Sequence, residues 1–294
     1  MTVDALVEKI LKDFNCAATL TIDETTQLLK QYGNLIKQQP VCLKIASGTM
    51  LVSGDIHGDF SIMKKIAKLF YQNKKISHLI FIGDIVDRGS QSIACLNLLF
   101  ALAIKQPENV HFLRGNHEAI SVNSRYGFID EVRIFGGDKE LYELFNNTFA
   151  NLPLMLIHQK LKYFFVHGGI PISVLALEEL EKLPKGDLLL ENPLIMQLLW
   201  NDPKEDVERS SYNMRGMGIF TYGPELVEEF LKINGLKKII RAHEAFSDGH
   251  KYFFNELLLS LFTSEEYYEY ISAKIAFIDD IGTIKIFHPD RPEI

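Results

Sequence analysis

Three times between residues 49 and 118 a short apolar run ends in a cluster of Gly, Asp, His and Asn, and a helical stretch follows. The runs cover residues 49–53, 78–82 and 110–113, and the clusters read GDIHG, GDIVDRG and RGNHE. Helices are expected over about 59–71 and 90–104, with a third helical stretch after RGNHE. Short apolar runs bounded by glycine-containing turns are strand-like, and longer amphipathic stretches are helical. Their strict alternation specifies parallel strands joined by crossovers, an α/β core of the βαβαβ type. In such a sheet the functional loops gather at the carboxyl ends of the strands, so the three clusters are expected to meet in space.

The segments on either side complete the architecture. Residues 1–47 read as a helical N-terminal section. Val3, Leu6, Val7, Ile10 and Leu11 recur at helical spacing, as do Leu28, Leu29, Leu35 and Ile36, and Pro40 closes the run. The second half favours strands, at 154–157, 163–166, 238–241, 252–254, 257–262, 273–278 and 283–287. Helices are expected over 174–181, 193–199 and 224–233. A two-sheet β-sandwich flanked by helices is the simplest packing. With no repeat and no Gly/Ser/Pro-rich linker, 1–294 reads as a single domain.

Charge and cysteine usage narrow the function. The 31 Lys and Arg against 38 Asp and Glu give a formal charge of −7, which argues against a general nucleic-acid binder. Cys16, Cys42 and Cys95 are far apart and form no CxxC, which fits a reducing compartment. The N-terminus has no signal-peptide pattern, and the longest apolar stretch, around 93–104, is too short to span a bilayer. These features predict a cytoplasmic protein with neither nucleic acid nor membrane as partner.

The clusters carry metal-ligand chemistry. Asp55 and His57 sit two apart after the first run, Asp84 and Asp87 follow the second with Arg88 beside them, and Asn116, His117 and Glu118 follow the third. His167 ends the run at 163–166, and His243 follows that at 238–241. Oxygen and nitrogen donors without thiolates suit manganese, iron or zinc. The donors exceed the need of one ion, and a carboxylate shared by two would hold them roughly 3.5–4 Å apart.

GDIHG, GDIVDRG, RGNHE, HGG and RAH together resemble the signature set of the PPP serine/threonine protein phosphatases, a branch of the calcineurin-like metallophosphoesterases. The resemblance runs over roughly residues 48–288, with further matches in YGFIDE at 126–131, LLWNDP at 198–203 and MRGMG around Arg215. It implies the calcineurin-like metallophosphoesterase fold and two divalent metal ions, manganese in vitro and iron or zinc natively. Asp55, His57 and Asp84 would hold the first ion. Asp84 would bridge to the second, completed by Asn116, His167 and His243. His117 would be the general acid, oriented by Asp87, while Arg88, Arg215 and Asn116 would bind the phosphoryl group. Tyr267 aligns with the tyrosine that the family places over the cleft.

The implied activity is hydrolysis of phosphoserine and phosphothreonine monoesters by in-line attack of a metal-bridging hydroxide, without a phosphoenzyme. The residues agree: a planar guanidinium matches two phosphate oxygens, a poor alkoxide leaving group needs a positioned acid, and no cysteine has the spacing of a phosphate loop. Phosphoproteins are the implied partners, and a regulatory subunit would leave no local signature. The alternative is a dual-specificity or small-molecule phosphoesterase of the same superfamily. Diadenosine tetraphosphatases typically carry GNHD where this chain ends the motif in Glu118. A non-catalytic phosphopeptide binder would need a lost ligand or acid, and none is missing. One departure from the family is Glu265 and Glu266 in place of Pro and Asn, acids expected to favour substrates with basic flanks.

Overall fold

The computed structural model describes residues 1–266 and 270–294. Met50–Ser53, His78–Phe81 and Val110–Phe112 lie parallel side by side, and Ile275–Ile278 followed by Ile284–Phe287 extends this sheet antiparallel beyond Met50–Ser53. A six-stranded sheet runs in the order Cys42–Ile45, Met155–His158, Tyr163–Val166, Lys238–Arg241, Leu258–Leu261, His250–Phe253. Its three strands Tyr163–Val166, Lys238–Arg241 and Leu258–Leu261 are parallel.

The two sheets face each other, and strand periodicity explains how. Met50, Val52, Ile80 and Ile82 point inward to Leu156, Phe165, Ile240 and Leu259 of the other sheet. The alternating residues Leu51, Leu79 and Phe81 point outward into the helices. Both faces are covered, so the strands read as continuous apolar runs rather than as alternation.

The N-terminal section packs on the helical layer that covers the outer face of the five-stranded sheet. Val3–Lys12 is capped by the Thr2 hydroxyl, which accepts from Ala5 N, and Ile22–Lys37 starts with a Thr21/Glu24 capping box. Both lie against Ser92–Lys105, a helix buried almost all round. Tyr32 stacks on Phe100 with centroids 4.5 Å apart. Leu29 is 0% exposed in this layer. Leu29→Ala is therefore expected to lower stability by about 2–5 kcal/mol in urea titration. A loss well under that range would mean the N-terminal helices are not part of the core.

Three expectations need correction. Cys42–Ile45, inside the section read as helical, is an edge strand parallel to Met155–His158. A four-residue run interrupted by Lys44 carries too little pattern, and long-range pairing decides its state. Second, the helix expected over 174–181 shrinks to Leu177–Leu180. The Asn234 side chain takes the Leu177 amide and the Leu175 carbonyl, fixing an irregular backbone there. Third, beside the two sheets stands a small one of Asp202–Pro203, Phe220–Tyr222 and Ser210–Tyr212. Among the described residues no helix is long and apolar enough to cross a membrane.

Candidate active site

The loops after the parallel strands converge as their topology requires. Asp55, His57, Asp84, Arg88, Asn116, His117, Arg215 and His243 line one cleft of about 410 Å3, with Tyr126, Trp200 and Tyr270 among its walls. His167 lies beneath it, fully buried. Tyr267 lies outside the described residues.

Asp84 is central. Its Oδ1 accepts from the His117 amide at 2.9 Å. Its Oδ2 lies 3.9 Å from His57 Nε2, 3.9 Å from His117 Nε2 and 3.4 Å from His167 Nε2. Asp55 is held through Oδ1, which accepts from the His243 amide at 2.9 Å, and its Oδ2 stands 3.8 Å from His57 Nε2.

The histidine tautomers follow from their outer contacts. His57 Nδ1 donates to the Val86 carbonyl at 2.9 Å and His167 Nδ1 to that of Ile82 at 2.7 Å. In the neutral ring each Nε2 is thereby left with a lone pair facing inward. Around His167 Nε2 the Asn116 Oδ1 stands at 2.9 Å and the His243 Nδ1 at 3.2 Å.

Acceptors thus face acceptors. His57–Asp84–His117 and Asp84–His167–His243 form two groups whose donor atoms lie within 4.8 Å of one another, with Asp84 in both. Electrostatics points the same way. Burial, and then Asp84, push the Asp55 carboxyl up to about 7. Burial works against protonation of His167, yet the Asp84 carboxylate draws its imidazole up to about 9. Burial, and then His117, hold His57 down at about 3, and His243 is depressed by burial and Arg215. A buried carboxyl pushed towards protonation at Asp55, imidazoles held neutral at His57 and His243, and a His167 drawn towards protonation only by Asp84 are what divalent cations relieve. The residues present fit two such ions.

His117 is set apart from the ligand arrangement by its own partner. Its Nδ1 donates to Asp87 Oδ2 at 2.6 Å, while Asp87 Oδ1 accepts from the Phe128 amide. Burial opposes its protonation, but Asp84 and the bond to Asp87 raise its pKa above the ordinary value. Arg88 is seated by its backbone amide, which donates to Tyr126 O, and by its guanidinium, 4.2 Å over the Tyr126 ring. Arg215 Nε donates to Asp202 Oδ2 at 2.6 Å, and Asp202 Oδ1 accepts from Arg241 Nη2. Arg241 buttresses the loop further by donating to Gly168 O and Glu244.

The backbone is bent hard around these groups. His57, Asp84, Asp87, Arg88 and His243 have φ of 47°, 53°, 72°, 68° and 73°. Left-handed backbone at a residue with a side chain costs about 1–3 kcal/mol and persists only when the surroundings over-determine it. Here they do: the Ile56 and His57 amides donate to Asp84 O, and Glu118 accepts from the Asp84 amide at 2.8 Å, Gly115 at 2.9 Å and Ile85 at 2.9 Å. Position 115 must be glycine, since a Cβ there would lie 2.1 Å from Asp84 Oδ1.

Several contributors were not assigned roles from the sequence: Glu118, Tyr126, Asp202 and Tyr270. Each stands in or near a motif, but a partner 13 or more residues away has no one-dimensional signal. Trp200, expected below the site, lies edge-on to His243 at 5.4 Å and reaches the cleft wall. Glu265 and Glu266 are partly engaged within the protein: Glu265 lies 2.9 Å from His288, and Glu266 accepts from the Ser90 amide.

Fold and site together define a metal-dependent phosphoesterase. The calcineurin-like phosphoesterase profile matches residues 48–246. A solved protein serine/threonine phosphatase of Saccharomyces cerevisiae, described as similar to human phosphatase PP5, shares 26% identity over 94% of this chain and 92% of its own, with a TM-score of 0.81. The chain belongs to the calcineurin-like phosphoesterases, and its motifs with this match put it in their PPP branch. A cold-active protein-tyrosine phosphatase of a psychrophilic Shewanella shares 17% identity over 85% of this chain and 83% of its own, at TM-score 0.59, and shows the same fold.

Proposed function

We propose that the chain is a protein phosphatase that hydrolyses phosphoserine and phosphothreonine monoesters by direct transfer to water, with no phosphoenzyme. The observation that carries this reading is the His117–Asp87 pair standing beside the shared Asp84 carboxylate, in one cleft with Arg88 and Arg215. The likeness to the yeast serine/threonine phosphatase supports the choice of substrate.

Each side chain has a part. The Arg88 and Arg215 guanidiniums bind phosphoryl oxygens, with Tyr126 and Asp202 fixing their directions. Asn116 contributes an amide at the same place. Asp87 holds the His117 tautomer, so that a protonated Nε2 faces the cleft and gives its proton to the departing serine or threonine oxygen. Asp55, His57, Asp84, Asn116, His167 and His243 would hold two divalent ions, manganese in vitro and iron or zinc natively. When bound, these would supply positive charge at the phosphoryl group and acidify water. Cys16, Cys42 and Cys95 are free thiols outside the cleft lining, which suits both a mechanism without a thiol nucleophile and a place in the cytoplasm.

The test is a leaving-group comparison. His117→Gln is expected to lower kcat on phosphoserine and phosphothreonine peptides about 10²–10⁴-fold. On p-nitrophenyl phosphate, whose leaving group needs no proton, the loss should be much smaller. Equal losses on both substrates would remove His117 from the acid role. Wild-type preference for phosphotyrosine peptides or diadenosine tetraphosphate would overturn the substrate assignment.

A further inference from the structure

A groove of about 640 Å3 lies between the end of helix Val3–Lys12 and the outer side of helix Phe60–Gln72. It shares no lining residue with the metal cleft. Lys12, Lys64, Lys65 and Lys68 line it, against the single carboxylate of Asp13. That carboxylate is occupied, accepting from the Asn15 amide and side chain.

The charge has no explanation within the helix. Phe60–Gln72 contains three lysines and no acid, in a chain whose net charge is −7. Lys64 and Lys68 stand one turn apart, a like-charged spacing that destabilises a helix. None of the three is in the last turn, where the helix dipole would favour a cation. Lys64 donates to a neutral oxygen, Asn15 Oδ1 at 2.8 Å, and lies 4.9 Å over the Phe60 ring, while Lys65 pairs with Asp290. Lys12 and Lys68 are exposed, with no ion pair among the described residues. Between the cations lies an aromatic floor, Phe14 edge-on to Tyr71 at 6.3 Å, and Tyr71 is 42% exposed.

We infer that this groove docks an acidic peptide segment that carries an apolar side chain between its carboxylates. Residues 61–72 span roughly 17 Å of helix, the length of about five extended peptide residues. Spaced lysines meet spaced carboxylates, while the aromatic pair takes the apolar residue. The docked segment would belong to a partner protein, held by a surface separate from the cleft.

Fluorescence anisotropy with a labelled poly-glutamate peptide holding one central Phe tests this directly. Binding is expected at low salt and should weaken as salt rises. Lys64→Glu with Lys68→Glu should weaken it at least tenfold, and Ser for Phe in the peptide should cost a similar factor. Thermal melting shows that the double variant is folded, and its phosphatase activity on p-nitrophenyl phosphate should equal wild type, since neither lysine touches the cleft. Unchanged peptide affinity in the double variant overturns the inference, as does indifference to the Phe. Tighter binding of a single-stranded oligonucleotide of equal charge also overturns it, in favour of a nucleic acid.

Discussion

Replacing Asp84 by Asn is expected to lower phosphate release by at least roughly a thousandfold and to abolish the stabilisation expected from added manganese. Asp84 belongs to both candidate ligand groups, and its Oδ2 stands within 3.4–3.9 Å of three imidazole nitrogens. Asparagine keeps the shape and, through Oδ1, the bond from the His117 amide. What it removes is the negative charge that two cations would share. A ligand at about 100 times its Kd stabilises the native state by about 2.7 kcal/mol. Wild-type protein should therefore melt higher with manganese than after chelation, and Asp84→Asn should melt alike in both. A manganese-dependent shift that survives in the variant would show that Asp84 is not the shared ligand. Loss of activity with the shift intact would place its role in the reaction rather than in binding.

Removing the Glu118 side chain should cost the largest share of stability of any single change at the site. Its carboxylate is 0% exposed and accepts from the amides of Asp84, Ile85 and Gly115. Glu118→Ala leaves these three donors buried without a partner. At about 1–3 kcal/mol each for an unsatisfied buried group, the loss should be at least about 3 kcal/mol in urea titration. Activity should fall with it, because the same amides fix the left-handed turn that presents Asp84. Glu118→Gln keeps one carbonyl but turns an NH2 towards a backbone N–H, so it should fall between the two. If Glu118→Ala is as stable as wild type, water fills the cradle and the turn is held elsewhere.

The motif GNHE carries two kinds of role. Asn116 and His117 face the cleft, whereas Glu118 faces the backbone of the neighbouring GDIVDRG loop. A reading of residue types finds both as polar positions after a strand. It cannot say which one points at substrate, because one residue's difference in a turn reverses the direction of the side chain.

Much of the fold was legible for a local reason. Strands such as Tyr163–Val166 and Lys238–Arg241, and the helix Pro224–Ile233, carry their pattern within a few residues, where apolar periodicity and the flanking Gly or Pro act. Cys42–Ile45 and the shortened Leu177–Leu180 failed because their states are set from afar, by pairing with Met155–His158 and by the Asn234 side chain. The sheet around Asp202–Pro203 failed likewise: its strands are two and three residues long, too short to show a period.

From residue types and order alone came the alternating strand–loop–helix core, the oxygen and nitrogen donors at its loop ends, and the family that uses them. Periodicity and turn chemistry are short-range, so one dimension is enough to record them. Only the tertiary structure decided that Asp84 Oδ2 sits amid His57, His117 and His167, that Asp202 holds Arg215, and that five site residues adopt left-handed backbone. Those relations join loops up to about 190 residues apart, as between Asp55 and His243. They exist only once the two sheets have packed and closed the cleft, because distance and direction between side chains are properties of the folded backbone.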